Sequence, residues 1–411
     1  MKFSLLASIL ASTASSAAVR RQSTNCTTNT NSTSPSSSSA LYFLDNNPSN
    51  SSIVSLLISP DGTLSNPILH STNGTGSIGL SAANNGTPVE TDSLFSQDSV
   101  VVSGTNLFTI NAGSNTLAHF LIDPSSPQNL TLSSTTSTLG TFPNAVAFSP
   151  ELSMVCVLHT GAPSTGVSCF KLDPTTNEIS VLDPECSFIP LPSINQTEAN
   201  QPATGPPNTA SDILFNPSST HLFVTTKGDP SSSTPGSVFS IPITNSSFGP
   251  LQESQPESLL LEFSMTFLND SSAVITDPSF GAALVDTSSP ENITLAKRTE
   301  IPDQKATCWS VYSDEKQEIY VADNANKDIT VLDAGSGEIK RVIKGPEGAE
   351  GSLDLVLFGE RLYVLQAASG ISVLDVEGGE EEVVQSLDLG EVGDRRGWMG
   401  MGVFRGMQGS D

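Results

Sequence analysis

Residues Ile319–Asn324 read IYVADN, and residues Asp328–Asp333 read DITVLD. Each is a run of aliphatic, aromatic and β-branched residues that ends at or near an aspartate, and three residues separate the two runs. Two such runs joined by a short turn predict a β-hairpin. Six further copies of this hairpin occur, and their first strands are LYFLDN (Leu41–Asn46), LFTINA (Leu107–Ala112), VCVLHT (Val155–Thr160), LFVTTK (Leu222–Lys227), AVITDP (Ala273–Pro278) and LYVLQA (Leu362–Ala367).

The spacing of the copies predicts the architecture. Successive copies begin roughly 45 to 65 residues apart, which is the size of a four-stranded propeller blade. Most copies follow a further apolar strand, such as WSVYSD (Trp309–Asp314). The first copy has no such strand before it, whereas MGVFRG (Met401–Gly406) is a strand with no hairpin after it. We therefore predict an all-β fold, a seven-bladed β-propeller closed by pairing of the C-terminal strand with the first blade.

The two ends of the chain flank this domain. Residues 1–18 combine Lys2, an apolar run and small residues at a cleavage point, which predicts a secretory signal peptide. Residues 19–39 are rich in Ser, Thr and Asn, and we expect them to be disordered because they are too poor in apolar residues to fold. The propeller is assigned to residues 40–407 and a C-terminal tail to residues 408–411. No later apolar run reaches the length of a membrane span, so we expect a secreted protein, extracellular or associated with a cell wall.

Glycosylation sites and net charge agree with export. Ten Asn-X-Ser/Thr sites are candidates for N-glycosylation, at Asn25, Asn31, Asn50, Asn73, Asn85, Asn129, Asn195, Asn245, Asn269 and Asn292. The formal net charge is −26, from 43 acidic and 17 basic residues. Such a charge repels nucleic acid and anionic membranes, so neither is an expected partner. It also favours a soluble monomer.

The five cysteines are too few for a disulfide-built scaffold in a chain of this length. Cys156 and Cys169 flank one hairpin, but the register taken from the shortest hairpin places His159 opposite Cys169, with Cys156 on the other face of the sheet. We therefore predict a Cys169–Cys186 disulfide, with Cys156 as a buried free thiol and Cys26 in the N-terminal segment. No zinc spacing, phosphate-binding glycine loop or other cofactor motif occurs, so we expect no metal and no cofactor.

One position at the end of the first strand of every hairpin is always polar. Its seven residues are Asp45, Asn111, His159, Thr226, Asp277, Asp323 and Gln366. In a propeller these strand ends share one face, so we predict a polar ring at the mouth of the central channel. The alternative is that turns begin with polar residues for local reasons. A second set at the hairpin exits is interpreted as turn residues only, and it consists of Asp123, Asp173, Asp286, Asp333 and Asp375.

Two longer stretches resemble a known family. They are AFSPELSMVCVLHTG (147–161) with GVSCFKLDPTTNEISVL (166–182), and DILFNPSSTHLFVTTKGD (212–229) with GSVFSIPI (236–243). Both resemble the lactonase-type seven-bladed propellers, a family that includes 6-phosphogluconolactonase and the fungal 3-carboxy-cis,cis-muconate lactonizing enzyme (carboxymuconate cyclase), an isomerase. The resemblance extends from Ala40 to Arg405, and the chain is also similar to a secreted, glycosylated fungal branch of that family.

The resemblance implies an Arg-His pair at the start of innermost strands and a Glu at the end of the strand that follows. The matching positions here are Asn144-Ala145 and Ser211-Asp212, and Lys227 stands in the place of the Glu. A lactonase or cyclase needs fixed cations and an acid or base at its site. Lys227, His159 and Asp212 are therefore the candidates for a rearranged catalytic set.

Two functions remain open on this reasoning. The family resemblance and the polar ring favour a lactonase- or cycloisomerase-like enzyme, whose partner is a small-molecule carboxylate or lactone bound in the central channel. The N-terminal segment, the glycosylation sites and the replaced motif favour a non-catalytic extracellular or cell-surface binding glycoprotein. In that second case the family's catalytic residues have been lost, and the partner belongs to an extracellular surface.

Overall fold

The computed structural model describes residues 38–182, 187–192, 194, 196, 202–367, 370–377, 383–390 and 392–406. The predicted signal peptide, the C-terminal tail, almost all of the N-terminal segment, and Asn25, Asn31, Asn195, Cys26 and Cys186 lie outside these residues. The described part is built of β-strands, with a short 3₁₀ helix at Arg395–Gly397. It holds no helix that is long and apolar enough to cross a membrane.

Seven antiparallel sheets of four or five strands follow one another within the described residues. The strands of the first three are, in sheet 1, β1 (Ser39–Asp45), β2 (Ser52–Ile58), β3 (Ile68–Ser71) and β33 (Trp398–Phe404); in sheet 2, β6 (Val100–Ser103), β7 (Asn106–Asn111), β8 (Thr116–Ile122) and β9 (Leu130–Ser137); and in sheet 3, β10 (Thr141–Ser149), β11 (Met154–Gly161), β12 (Gly166–Leu172), β13 (Ile179–Val181) and β14 (Phe188–Pro190).

The other four sheets repeat this plan. Their strands are, in sheet 4, β16 (Ala210–Phe215), β17 (His221–Thr226), β18 (Ser237–Thr244), β19 (Ser247–Phe248) and β20 (Gln252–Ser254); in sheet 5, β21 (Met265–Asn269), β22 (Ser272–Asp277), β23 (Gly281–Asp286) and β24 (Thr294–Glu300); in sheet 6, β25 (Thr307–Ser313), β26 (Glu318–Asp323), β27 (Asn326–Asp333) and β28 (Ile339–Ile343); and in sheet 7, β29 (Ser352–Phe358), β30 (Arg361–Gln366), β31 (Gly370–Asp375) and β32 (Val383–Asp388).

The predicted hairpins form the two middle strands of each sheet, and all seven pair as antiparallel neighbours. The first strand of each hairpin is mostly apolar because both of its faces are covered. In β1 and β26, for example, every residue is buried. A sheet that packs on both faces leaves no solvent side on which polar residues can alternate, which explains the near-continuous apolar runs in the sequence.

The C-terminal strand β33 pairs with β1, as the sequence predicts. Leu41 opposes Val403 and Phe43 opposes Met401, so β33 is the fourth strand of sheet 1. The register shifts beside Gly400, whose φ of 64° suits glycine and whose missing side chain leaves room for Ser99. β1 begins at Ser39, one residue before the predicted start of the domain.

The innermost strands contact one another from sheet to sheet. Contacts join β33 to β6, β6 to β10, β10 to β16, β21 to β25, β25 to β29 and β29 to β33. Between β16 and β21 the link is a hydrogen bond of 2.9 Å from the Met265 amide to Asp212 Oδ2.

Two insertions meet in a small additional sheet. The longest intervals between hairpin copies are those from Leu41 to Leu107 and from Val155 to Leu222. The first interval contributes β4 (Leu80–Ser81) and β5 (Thr87–Pro88), and the second contributes β15 (Thr204–Gly205). β15 pairs with β4 in parallel and β4 pairs with β5 in antiparallel orientation. The extra length of both intervals therefore goes into one shared structure.

The predicted Cys169–Cys186 disulfide is wrong. Cys156 and Cys169 are bonded to each other, with their Cα atoms 4.1 Å apart, and Cys156 is therefore not the buried free thiol. In the observed register His159 opposes Gly166, which places Cys156 directly opposite Cys169. The prediction misaligned the two strands, and any such slip moves side chains relative to their cross-strand partners. The free cysteine in the described part of the chain is Cys308, which is buried.

Candidate functional site

The predicted ring residues all lie at or near the ends of the corresponding strands and are buried. They are Asp45, Asn111, His159, Thr226, Asp277, Asp323 and Gln366. Two of them have the same role. Asp277 Oδ2 accepts hydrogen bonds from the amides of Leu260 and Leu261, and its Oδ1 accepts one from Ser279. These bonds tie the hairpin to the loop that leads into the innermost strand of the same sheet.

Asp323 repeats this arrangement in sheet 6. Its Oδ2 accepts from the amides of Lys305 and Ala306, at 2.7 and 3.0 Å, and its Oδ1 accepts from Ala325. Asp45 accepts from the Asp394 amide, also ahead of an innermost strand. The three carboxylates are thus held by backbone amides of their own sheets. Whether the seven positions surround one channel stays a prediction.

His159 is also held locally. Its Nδ1 lies 3.1 Å from the Gly166 carbonyl oxygen, and its ring packs 5.9 Å from that of Phe188. Burial lowers the pKa of His159 to about 4, so the imidazole is neutral near pH 7. All of these contacts lie within sheet 3, and none is with Lys227 or Asp212.

A different set of residues gathers where the innermost strands begin. The register of β10 shifts between Pro143 and Ala145, that of β16 between Ala210 and Asp212, and that of β25 between Thr307 and Trp309. Each shift leaves one residue out of the strand pairing, as in a β-bulge. The residues left out are Asn144, Ser211 and Cys308. All three are buried.

A segment of the first insertion lies against these bulges. We call residues 92–98 (DSLFSQD) the central segment. Three successive backbone carbonyls of this segment each accept a hydrogen bond from a side chain, and the three side chains belong to three different sheets. Asn144 Nδ2 donates to Leu94 O at 3.3 Å, Lys227 Nζ to Phe95 O at 2.7 Å, and Trp309 Nε1 to Ser96 O at 3.2 Å.

Further bonds fix the central segment on both sides. The side-chain amide of Gln97 makes two hydrogen bonds with the backbone of Ser310, at 3.1 and 3.3 Å. The backbone N–H of Gln97 donates to Ser211 O. Ser96 Oγ donates to Asn144 O at 2.7 Å. Sheets 3, 4 and 6 are thereby connected through one stretch of backbone, and the segment between Asp92 and Gln97 is buried.

Lys227 is buried among acidic groups beside this segment. Its ammonium also donates to Ser211 Oγ and lies 4.5 Å from the centre of the Phe263 ring. Burial lowers the pKa of Lys227 to about 8, although the charges of Asp92 and Glu262 act in the opposite direction. Lys227 is therefore a donor fixed in place, and its ammonium group loses its proton at a pH only slightly above neutral.

The acids around Lys227 have raised pKa values. Burial raises the pKa of Asp92 to about 7 and that of Glu262 to about 8. Asp92 Oδ1 and both carboxyl oxygens of Glu262 have no hydrogen-bond partner among the described residues. A carboxyl group without donors favours its neutral form in a buried site.

Three more carboxyls lie nearby on innermost strands or on the segment itself. Burial raises the pKa of Asp98 to about 7 and that of Asp354 to about 8. Burial and the charge of Asp98 hold the pKa of Asp212 well above its usual range. Even so, the described residues contain no group of three His, Cys, Asp or Glu side chains placed to bind a metal ion.

The structure therefore brings two of the three catalytic candidates together. Lys227 and Asp212 belong to the same buried cluster at sheet 4, whereas His159 lies in sheet 3 and contacts neither of them. Sequence reasoning missed the central segment, Glu262 and Trp309. One feature of the sequence could have indicated the central segment. It lies in one of the two longest intervals between hairpin copies, and this extra length indicates an insertion.

Solved structures with this architecture are known. A putative 6-phosphogluconolactonase from Bacteroides fragilis superposes with a TM-score of 0.62 at 11% identity, covering 91% of this chain and 99% of its own. The periplasmic gluconolactonase of Pseudomonas aeruginosa gives 0.62 at 14% identity, with coverage of 90% and 99%. A protein from Lactobacillus plantarum gives 0.62 at 13% identity, with coverage of 90% and 100%.

The fold is that of the lactonase-type β-propellers. At these identities the likeness describes the fold and not the activity. No protein-family model and no curated protein sequence matches the chain. We refer to sheets 1 to 7 as blades 1 to 7.

Proposed function

We propose that this chain is a secreted, N-glycosylated, seven-bladed β-propeller that acts as an extracellular binding glycoprotein without lactonase or cycloisomerase activity. One observation carries the proposal. The donors at the positions that match the family's site, Asn144 and Lys227, are already bonded to the backbone of the central segment. Ser211, also at a matching position, accepts from Lys227.

The chemistry of the site argues in the same direction. Opening or closing a lactone requires a cation or donor aimed at the oxygen that gains charge, and an acid or base within reach of the proton that moves. Here the donors face carbonyl oxygens of the chain itself, and Asp92 to Gln97 are buried. A substrate would have to displace this segment and its hydrogen bonds before it met Lys227.

Closure into seven blades is part of the proposal. The pairing of β33 with β1 completes blade 1 from both ends of the domain, and the contacts between neighbouring innermost strands continue from blade to blade. A closed ring removes the exposed sheet edges that an open array would have at its first and last blades. These observations support closure.

Secretion and glycosylation are proposed from the sequence, with support from exposure. The seven glycosylation sites within the described residues all have an exposed asparagine, at Asn50, Asn73, Asn85, Asn129, Asn245, Asn269 and Asn292. We expect endoglycosidase treatment to lower the mass of the secreted protein, and N-terminal sequencing to begin after residue 18. An unglycosylated protein that retains residues 1–18 would contradict this part.

The enzymatic alternative is favoured by a specific observation, the cluster of ionisable groups with strongly shifted pKa values around Lys227. Such clusters are typical of active sites, although buried structural networks produce them as well. The two functions differ in whether a substrate can reach the cluster.

A panel of lactones and muconates, assayed on the purified glycoprotein, distinguishes them. A lactonase of known activity, such as the gluconolactonase of Pseudomonas aeruginosa, serves as the positive control. We expect no turnover above the buffer rate between pH 5 and pH 8. Turnover that decreases in a Trp309→Phe variant, which loses the indole donor but keeps an aromatic ring, would overturn the proposal.

A further inference from the structure

The central segment is held in an unfavourable backbone conformation. Asp92, Phe95 and Asp98 all have a positive φ, at 54°, 57° and 58°. Aspartate tolerates this left-handed region, but a bulky residue such as phenylalanine adopts it only with strain. A segment of seven residues that contains three such positions keeps its shape because its surroundings hold it there.

The small sheet of β4, β5 and β15 holds the segment from one side. The Gly79 amide donates a hydrogen bond of 2.9 Å to Ser93 O. The Phe95 ring lies so close to Gly79 and Gly205 that a Cβ atom at these two positions would be 2.5 and 2.8 Å from it. On the other side are the three side-chain donors described above. Residues 82–88, which precede the segment, are exposed, so the segment can move outward while the blades stay folded.

Unpaired buried carboxyl groups lie at the first end of the segment. Asp92 is 4% exposed and Glu262 is fully buried, and Asp92 Oδ1 and both carboxyl oxygens of Glu262 have no hydrogen-bond partner among the described residues. The charge of Lys227 acts on both acids, and that of Asp277 acts on Glu262. The Cys308 thiol is buried beside Asp92 and Lys227. Because one ammonium group cannot balance the two acids and Asp277, ionisation of both acids leaves a buried negative charge without a partner.

A second group of acids lies at the other end of the segment. The Asp98 carboxyl group is hydrogen-bonded to the side chains of Gln97 and Asp212. Two carboxyl groups share a hydrogen bond only while one of them holds a proton, because a carboxylate is an acceptor only. Asp354 interacts with both acids, and Lys227 with Asp212. The segment is thus flanked at both ends by carboxyl groups that favour its present position only while they are neutral.

We propose that the central segment is a pH-dependent plug, which stays in place while the carboxyl groups at its ends are neutral and is released when they ionise. Release relieves the left-handed backbone at Phe95 and lets water solvate the new carboxylates. It also uncovers the three donors beneath the segment. This inference goes beyond the proposed function, since it concerns how the site opens and requires neither turnover nor a partner.

The direction of the pH dependence follows from burial. Burial raises the pKa of Asp92 to about 7 and that of Glu262 to about 8. In the released segment such groups ionise near pH 4. Release therefore gives up protons and becomes more favourable as pH rises from 4 to 8. The pKa of Lys227 is lowered to about 8 by burial, and this shift opposes release only above that pH.

Hydrogen–deuterium exchange of the glycosylated protein at pH 6 and pH 8 tests the plug, with labelling times scaled for the faster intrinsic exchange at the higher pH. At pH 6 a peptide that covers residues 91–99 should be as protected as one from β26 (Glu318–Asp323), whose residues are all buried. Its protection should then fall by about tenfold per pH unit, the factor that one ionising carboxyl group contributes. The β26 peptide should lose less, because release leaves the blades folded. Equal losses in the two peptides, or no loss in either, would overturn the proposal.

Two variants remove the ionisation at the first end. Glu262→Gln is the neutral isostere, and Glu262→Met places an apolar side chain where the carboxyl oxygens have no hydrogen-bond partner. In each variant the loss of protection between pH 6 and pH 8 should be about tenfold smaller than in the parent. Glu257→Gln is the matched control, since Glu257 is an exposed glutamate of the same loop, and it should behave as the parent. A parent-like loss in both Glu262 variants would contradict the plug.

The buried thiol of Cys308 gives a second readout. Cys308 directly precedes Trp309 and Ser310, which are both bonded to the central segment. At pH 8, N-ethylmaleimide followed by peptide mapping should label Cys308 about tenfold faster in the parent than in Glu262→Gln, because the segment leaves more often in the parent. Equal labelling rates would overturn the proposal. Neither readout depends on lactonase activity or on a partner, so this inference and the proposed function fail separately.

Discussion

Two buried acids of the same blade behave differently. Asp277, at the end of β22, is bonded to three backbone amides, two of which belong to Leu260 and Leu261. Glu262 is the residue after Leu261. Neither of its carboxyl oxygens has a hydrogen-bond partner among the described residues, and burial raises its pKa to about 8. The first acid occupies a position of the repeat and stabilises the fold, whereas the second is close enough to Lys227 for their charges to interact. In this blade the acid at the repeat position therefore has a structural role, and the acid with the raised pKa lies outside the repeat position.

The largest expected effect comes from Lys227. Lys227→Met should lower the free energy of unfolding by about 3 kcal/mol, because Phe95 O and Ser211 Oγ lose their donor and Asp92 and Glu262 lose a buried positive charge. Chemical denaturation at pH 7 measures the change.

The matched control is Lys171→Met. Lys171 is the other lysine of blades 1 to 4, it is partly exposed, and its ammonium donates to Leu152 O. Its replacement should cost less than about 1 kcal/mol, as expected for a partly exposed group. Equal losses of unfolding free energy in the two variants would show that the lysine beside the central segment is no more important for stability than a lysine elsewhere in the domain.

A smaller effect is expected at the repeat position. Asp277→Ala leaves three backbone amides without their acceptor and should cost about 2 kcal/mol. Asp286→Ala, at the other end of the same hairpin, removes an exposed turn acceptor of Ser288 and should leave the free energy of unfolding almost unchanged. A loss at Asp286 as large as that at Asp277 would show that the hairpin exits are more than turn residues.

A further prediction concerns pH. The pKa values of Asp92 and Asp98 are raised to about 7, and those of Glu262 and Asp354 to about 8. In the unfolded chain these groups ionise near pH 4. Between pH 4 and pH 8 the folded state therefore binds more protons than the unfolded state, so the free energy of unfolding should fall as pH rises.

Asp354→Asn isolates one of these groups. The amide oxygen can still accept from the Leu355 amide, as Asp354 Oδ1 does, but the side chain no longer ionises. The variant should lose less stability than the parent between pH 5 and pH 8, as measured by thermal unfolding. Asp123→Asn is the control, because hydrogen bonds to Ser125 lower the pKa of Asp123, and this variant should not flatten the profile. An unchanged profile in Asp354→Asn would contradict the raised pKa.

Most of the fold could be predicted from the sequence because the hairpin repeats. Each copy shows an apolar strand and a polar end, and this local pattern predicts the middle strands of every blade and the pairing of β33 with β1. The pairing of Cys156 with Cys169 could not be predicted reliably, because cross-strand register depends on the turn geometry and a small slip changes every opposing residue. The central segment was missed for another reason. Its partners are distant in the chain, 50 residues away for Asn144, 132 for Lys227 and 213 for Trp309, and no local pattern encodes such contacts.

Hydrogen–deuterium exchange of the central segment tests the central claim most directly. If its backbone fills the site at Asn144, Lys227 and Trp309, a peptide that covers residues 91–99 should exchange as slowly as one from β26 (Glu318–Asp323), whose residues are all buried. Exchange as rapid as that of the exposed turn at residues 231–235 would show that the segment leaves the centre readily. The site would then be open to a ligand, which would contradict the claim that the protein's own backbone occupies it.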